Sequence, residues 1–527
     1  MRRGGWVAVA FGVMVAIGGT AWYLSPQEPT EVVVELAAQE VQVDGTLEIA
    51  VEDYVATSQI VYTVIEDTGR RVRMRPHAAW AALQTGARVR VRGRQAQPTE
   101  AVAPTEVTVV AEAPVIANTF GDQRTLVILV NFTDNPTQPY TVADAQTVTF
   151  TQSSTYYRDN TYQQTWLTGS VAGWFTIALA STLCDTTQIA TLGDQAATAA
   201  GVNLSLYPRR IYGFPNNAGC TWWGLGTVGG NPSRAWINGT YSLKVVAHEF
   251  GHNLGSYHSK SLPCEGTPPV CTAVEYGDFY DMMGGSGTGH FTAFQKERLG
   301  WLAYQASPTI QTVAQSGAYA VEGLSAPGTG PKALKIPAAT TGAFWYLEMR
   351  VPIGADAGLP AGVLVHGGTP ASGSSSYLID LDPVTTAFDA VLDVGQTFTA
   401  PGVAVSTMGT SATGATMTVT MAGPPPPPPP PPPPAVTLVS TSVSEATVYR
   451  LRATVSVSSG SAAGQIVTWK VTNPKGKVTT LSATTDSLGV ASVVVKWKKP
   501  DPTGLYTVLA SVTVSGVSAT SASSFVR

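Results

Sequence analysis

Val246-Ala247-His248-Glu249-Phe250-Gly251-His252-Asn253-Leu254-Gly255-Ser256-Tyr257-His258 holds three of the six histidines in a chain of 527 residues. An α-helix turns about 100° per residue, so His248 and His252 project from one face, a single turn apart. On a continuous helix His258 would lie about 9 Å further along the axis, at about 1.5 Å per residue. The chain must therefore reverse, and Gly255 tolerates the left-handed backbone that commonly ends a helix. The reversal swings His258 back toward the other two, with Glu249 beside them. Three imidazoles so placed suit one metal ion. The plain alternative, a buried helix whose histidines meet ordinary hydrogen-bond partners, gives no reason for the pattern H-E-x-x-H-x-x-G-x-x-H, one of whose fixed positions is conformational.

Three neutral imidazoles leave Zn²⁺ one open position for water, whose pKa falls from 15.7 to about 7 on coordination. Glu249 is placed to take a proton from that water and pass it to a departing amide nitrogen. The pattern is identified as that of metzincin zinc peptidases. The surrounding text resembles their gametolysin branch: Trp166 to Trp174, Gly219-Cys220-Thr221-Trp222 through Gly229-Gly230, Tyr276-Gly277-Asp278 leading to Met283-Gly284, and His290-Phe291-Thr292-Ala293-Phe294-Gln295-Lys296 with Leu299-Gly300-Trp301. The resemblance covers roughly a third of the chain. Bacterial immune-inhibitor proteases would carry an aspartate where this chain has His258.

The resemblance implies one catalytic zinc held by His248, His252 and His258, with Glu249 as general base, and leaves calcium use open. It implies a turn that sets Met283, or alternatively Met282, beneath the ligands as an apolar floor. The methionine is not a ligand, because a thioether is a poor partner for Zn²⁺ beside imidazoles. Some metzincins place a tyrosine just after this methionine to assist the oxyanion. Here Gly284-Gly285-Ser286-Gly287 follows, which leaves Tyr276 and Tyr280, before the turn, as candidates. His290 reads as structural, and His77 and His366 fall in other regions. A strand within 221–230, whose glycines would admit a close backbone, is the candidate for pairing with an extended peptide.

Charged residues make up 13% of the chain and the formal net charge is −4, which excludes an electrostatic footprint for nucleic acid. Arginines alternate in Arg88-Val89-Arg90-Val91-Arg92 as on the wet face of a strand. Met1-Arg2-Arg3 and the apolar run from Trp6 to Leu24 read as an export signal, either cleaved or retained as an anchor. The protein is therefore expected to be secreted or at the cell surface. Exported cysteines form disulfides. Cys264 with Cys271 closes a short loop and leaves Cys184 with Cys220, the favoured one of three pairings.

The fold class expected is α+β and multidomain: a metzincin-like catalytic domain of mixed twisted sheet plus helices, flanked by all-β domains. The boundaries expected are 1–25 for the signal, 30–95 for a small β-barrel or sandwich suited to a propeptide, 96–117 for a linker, and 118–306 for the catalytic domain. There follow a β-sandwich at 307–422, a polyproline spacer at 423–435 and a β-sandwich resembling bacterial Ig-like domains at 436–527. The N-terminal region contains no cysteine, so no thiolate from it can cap the metal. The function expected is that of an exported zinc endopeptidase acting on extracellular proteins or glycoproteins, with the last domain attaching it to a surface or matrix. The rival is an adhesive protein with an inactive protease-like domain.

Overall fold

The computed structural model describes residues 38–113, 119–263, 271–385, 387–421, 436–445, 448–457, 461–496 and 501–527. The Trp6 to Leu24 run, Cys264 and the proline run lie outside them. The chain divides into two compact units, one ending at Ala422 and the other starting at Gly423. It is mixed α+β, mostly sheet with few helices.

Alternation governs the first strands. β1 (Gln39–Asp53) turns Val43, Leu47, Ile49, Val51 and Asp53 inward, the period of two that a pleated strand imposes. β2 (Ser58–Ile65) pairs with it along Thr46–Asp53 and is followed by β3 (Arg71–Met74); β4 (Arg88–Gln95) pairs with its first half. These faces close on Trp80, which stacks on Tyr62 at 5.5 Å. Arg90 and Arg92 point outward to Asp44 and Glu106. β5 (Ala103–Ala111) pairs with β4, so the stretch 96–117 is not simply a linker. Most of its side chains are exposed, and backbone pairing rather than burial makes it a strand.

β6 (Gly121–Phe132) is buried along its apolar run and has parallel neighbours on both sides, β7 (Thr165–Ile177) and β8 (Arg209–Phe214). Parallel strands need long crossovers. α1 (Val142–Gln146) and α2 (Ser154–Asn160) supply the first, and α3 (Thr186–Ala199) the second. β9 (Gly224–Thr227) and β10 (Ser233–Asn238) follow, then α4 (Leu243–Leu254). The strand order β3-β2-β1-β9-β10-β8-β6-β7 joins the regions read as 30–95 and 118–306 into one sheet. The junction is the pairing of Ala50–Asp53 in β1 with Gly224–Thr227 in β9. β2 takes one edge of β1 there, and the opposite edge is free to receive β9.

After β11 (Lys260–Leu262) and α5 (Ala293–Arg298) come β12 (Gln311–Thr312), β13 (Gly317–Glu322), β14 (Ala333–Pro337), β15 (Phe344–Arg350), β16 (Gly362–Gly368), β17 (Tyr377–Ile379), β18 (Val391–Leu392), β19 (Thr397–Ala400), β20 (Val403–Ser411) and β21 (Gly414–Met421). They form two sheets, β11-β17-β16-β15-β14-β12 with β18, and β13-β21-β20-β19. Leu347, Met349, Val363 and Val365 of the first share a core with Val405, Met417 and Val419 of the second. The boundary at 306 therefore does not separate sheets, because β11 leaves the catalytic stretch to pair with β17.

In the second unit, Val436–Glu445, Val448–Val457 and Val490–Lys496 make one antiparallel sheet. Val478–Thr484, Ile466–Thr472, Leu505–Val514 and Val517–Val526 make the other. Trp469, fully buried, lies in their common core with Leu451, Val455 and Ala510. Among the described residues no helix is long and apolar enough to cross a membrane.

Candidate metal centre

α4 begins at Ser242, whose hydroxyl accepts from the Val245 N–H, and ends at Gly255 with φ 111°. Ser256 N–H and Gly255 N–H bond back to the last turn, and the reversed chain returns His258 to the helical pair. The helix packs directly under β9. A Cβ on Gly224 would collide with the Glu249 carboxylate, and one on Gly226 with His252 and the Glu249 backbone. The glycines read as room for a substrate backbone thus admit the helix. β9 is also not an open edge, since β10 takes one side and β1 the other.

Each of the three histidines has its Nδ1 engaged. His248 Nδ1 donates to Met282 O and His252 Nδ1 to Ser256 O, both at 2.9 Å, and His258 Nδ1 to Glu275 Oε1 at 2.6 Å. Such partners fix tautomer and ring orientation, presenting the Nε2 lone pairs to a common centre. The Nε2 atoms of His252 and His258 lie 3.1 Å apart. A fourth group meets them there: Asp53 Oδ2 is 3.4 Å from His248 Nε2 and 3.3 Å from His252 Nε2, and Oδ1 is 2.8 Å from His258 Nε2. All four residues are buried, with donor atoms within 4.8 Å of one another.

A metal ion fits this donor set. Donors at about 2.0–2.1 Å in tetrahedral array would stand roughly 3.3 Å apart. Unprotonated nitrogens and a carboxylate aimed at each other inside a protein repel unless a cation lies between them. His248 Nε2, Asp53 Oδ2 and both Glu249 carboxylate oxygens are buried without a hydrogen-bond partner, which is costly unless another ligand satisfies them.

Burial pushes His248 down to about 3, more than the neighbouring Asp53 raises it, so the ring is neutral as a ligand must be. Burial, and next the charge of Asp53, hold Glu249 well above the usual carboxylate range. Burial would raise Glu275, but its hydrogen bond to His258 and the charges of His258 and Lys260 outweigh that and bring it down to about 2.

Met283 is fully buried, and a Cβ on Gly251 would strike its sulfur, so it lies against α4. Met282 contributes its carbonyl to His248 instead. Asp281 ties the turn by accepting from the N–H groups of Met283 and Thr292, each at 2.7 Å. Lys244 Nζ donates to Gly284 O and Gly287 O, each at 2.8 Å. Of the two candidate tyrosines, Tyr276 reaches the centre: its hydroxyl donates to Asp53 Oδ1 at 2.8 Å and its ring lies 4.3 Å from that of His258. Tyr280 packs on Phe279 instead. A cavity of about 190 Å³ beside the centre is lined by Tyr54, Val55, Trp223, Lys244, Tyr276 and Gly285.

His290 bonds Asp159 and Lys296, and His77 caps a short turn through Nδ1. His366, placed in another domain by sequence, donates to Asp278 at 2.9 Å and so braces the methionine turn from β16. Cys184 and Cys220 form a disulfide, and Cys271 is also oxidised. Asp53 is the residue that sequence reasoning missed. Its signal was present: an acid on the core-facing side of an alternating strand needs a buried partner.

Residues 133–358 match the family model described as gametolysin peptidase M11. No curated protein matches the chain significantly. Among solved structures, a tetra-tandem repeat in the extending region of a large adhesion protein aligns at 14% identity over 36% of this chain and 46% of that one, with TM-score 0.16. A Ruminococcus gnavus beta-glucuronidase aligns at 11% identity over 40% of this chain and 44% of that one, with TM-score 0.12. The chain spans less than half of either structure, and at those TM-scores neither carries an argument about fold. Across residues 133–358 the chain carries a gametolysin-type metallopeptidase domain.

Proposed function

We propose that the protein is an exported zinc endopeptidase of metzincin type, with His248, His252 and His258 as resident ligands and Glu249 as general base. The observation that carries this is the convergence of three Nε2 atoms on one buried point, with the adjoining Glu249 carboxylate free of hydrogen bonds. A zinc ion held there would supply Lewis acidity toward water and the scissile carbonyl. Glu249 takes the proton of the attacking water and delivers it to the leaving amide nitrogen. Its raised proton affinity suits both halves of that transfer. Tyr276 donates to the carbonyl oxygen as negative charge develops, the position its hydroxyl now holds toward Asp53. Met283 forms the apolar floor, and the cavity beside Trp223 and Tyr276 receives a substrate side chain.

Substrates of this reading are extracellular proteins or glycoproteins. The apolar N-terminal run directs export, with secretion or surface anchoring as the result, and the second unit, read as Ig-like, holds the enzyme at a surface or matrix. A purely adhesive role would suit a chain that had lost a ligand or Glu249, and all are in place. Replacing Glu249 with alanine should lower peptide hydrolysis by about 10²–10⁴-fold while bound metal stays at one ion per chain. Chelation should abolish casein hydrolysis and zinc should restore it. Undiminished turnover by Glu249→Ala would sink the mechanism.

A further inference from the structure

We propose that Asp53, delivered by the N-terminal strands, is an intramolecular fourth ligand that keeps the metal centre closed in the intact chain. The inference rests on the metallopeptidase reading of the site and concerns its regulation. Asp53 continues the inward face of β1 after Val43, Leu47, Ile49 and Val51, yet it is a fully buried carboxylate. The Tyr276 hydroxyl satisfies Oδ1, while Oδ2 has no hydrogen-bond partner and faces the histidine Nε2 atoms, an arrangement that a cation between them would satisfy. Carboxylate oxygen is an ordinary zinc donor. The position it fills is the one a substrate carbonyl or water needs.

The segment is fastened on both sides of the centre. Trp223 N–H donates to Asp53 O at 2.9 Å, and Trp223 Nε1 to Tyr54 O at 3.2 Å. Tyr276 donates to Asp53 Oδ1 and to Thr57 O. Ser58 donates at 2.8 Å to Glu275, the same carboxylate that orients His258. β1 meanwhile pairs with β9 through Ala50–Asp53, using the backbone groups that an extended peptide would need for strand addition. One strand thus fills the coordination position and the substrate edge together. The hairpin that follows carries Val55 at 94% exposure, so the closing segment is reachable from outside.

The test loads the full chain with Co²⁺ and titrates it with acetohydroxamate while visible absorption reports coordination. The intact wild type should keep its spectrum at concentrations that shift those of Asp53→Ala and Asp53→Asn, the second being the isosteric guard against misfolding. On a quenched-fluorescence peptide the Asp53 variants should turn over about tenfold faster or more, as the competent fraction rises. Spectra that behave so without hydrolysis by any variant would uphold the ligand and sink the peptidase reading. Wild type that takes up acetohydroxamate as readily as the variants overturns the inference, whatever the rates.

Discussion

Two β regions flank the peptidase stretch, and by sequence they look alike: alternating strands and glycine turns. Their places in the molecule differ. The strands from β1 to β5 are part of the peptidase sheet through four residue pairs between β1 and β9, and they put Asp53 among the three histidines of the centre. The strands after Gly423 belong to a compact unit with a core of their own around Trp469. The difference teaches that alternation announces a strand but not its partner. Partnership is decided by which edge is left open, and β1 is long enough to serve β2, β4 and β9 at once.

One buried tryptophan in each region separates the two most strongly. Trp80→Ala and Trp469→Ala each empty a buried site and should cost about 3–5 kcal/mol. In differential scanning calorimetry Trp80→Ala should shift the transition of the whole first unit, and Trp469→Ala that of the second unit alone. A separate early transition for residues 38–113 would show that the shared sheet does not couple them.

A smaller effect distinguishes the units by pH. Burial, and next the charge of Arg350, bring Lys296 in α5 down to about 7, below its ordinary value near 10.4. Between those values the unfolded chain binds more protons than the folded one, so stability of the first unit should rise as pH increases from about 7 toward 10. Below about 7 both states are protonated and the slope vanishes. Lys296→Met should flatten that slope in the first transition, and urea titrations across the range would detect it. The smallest effect is expected from ending the chain after Met421: kcat/KM on a short peptide should stay unchanged, and a large loss would tie the second unit to catalysis.

Much of the centre was legible because helix geometry is local. The four-residue spacing of His248 and His252, the N-cap at Ser242 and the left-handed Gly255 follow from backbone rules acting over one or two turns. The apolar run of β6 is an equally local signal, since a strand covered on both faces has no polar alternation. The exposed side chains of β5 gave no such sign, and β11 is too short to announce its pairing with β17. His366 reached Asp278 across a boundary that composition had drawn.

By itself the sequence determined that His248, His252 and His258 can meet with Glu249 beside them, and that Gly255 lets the chain return, because these depend on contacts a few residues apart. Tertiary structure alone decided which methionine lies against the helix, which tyrosine faces the centre, and that Asp53 joins the three histidines. The physical reason is that strand pairing runs through backbone N–H and C=O groups identical at every residue. Only the assembled sheet could bring position 53 to position 248.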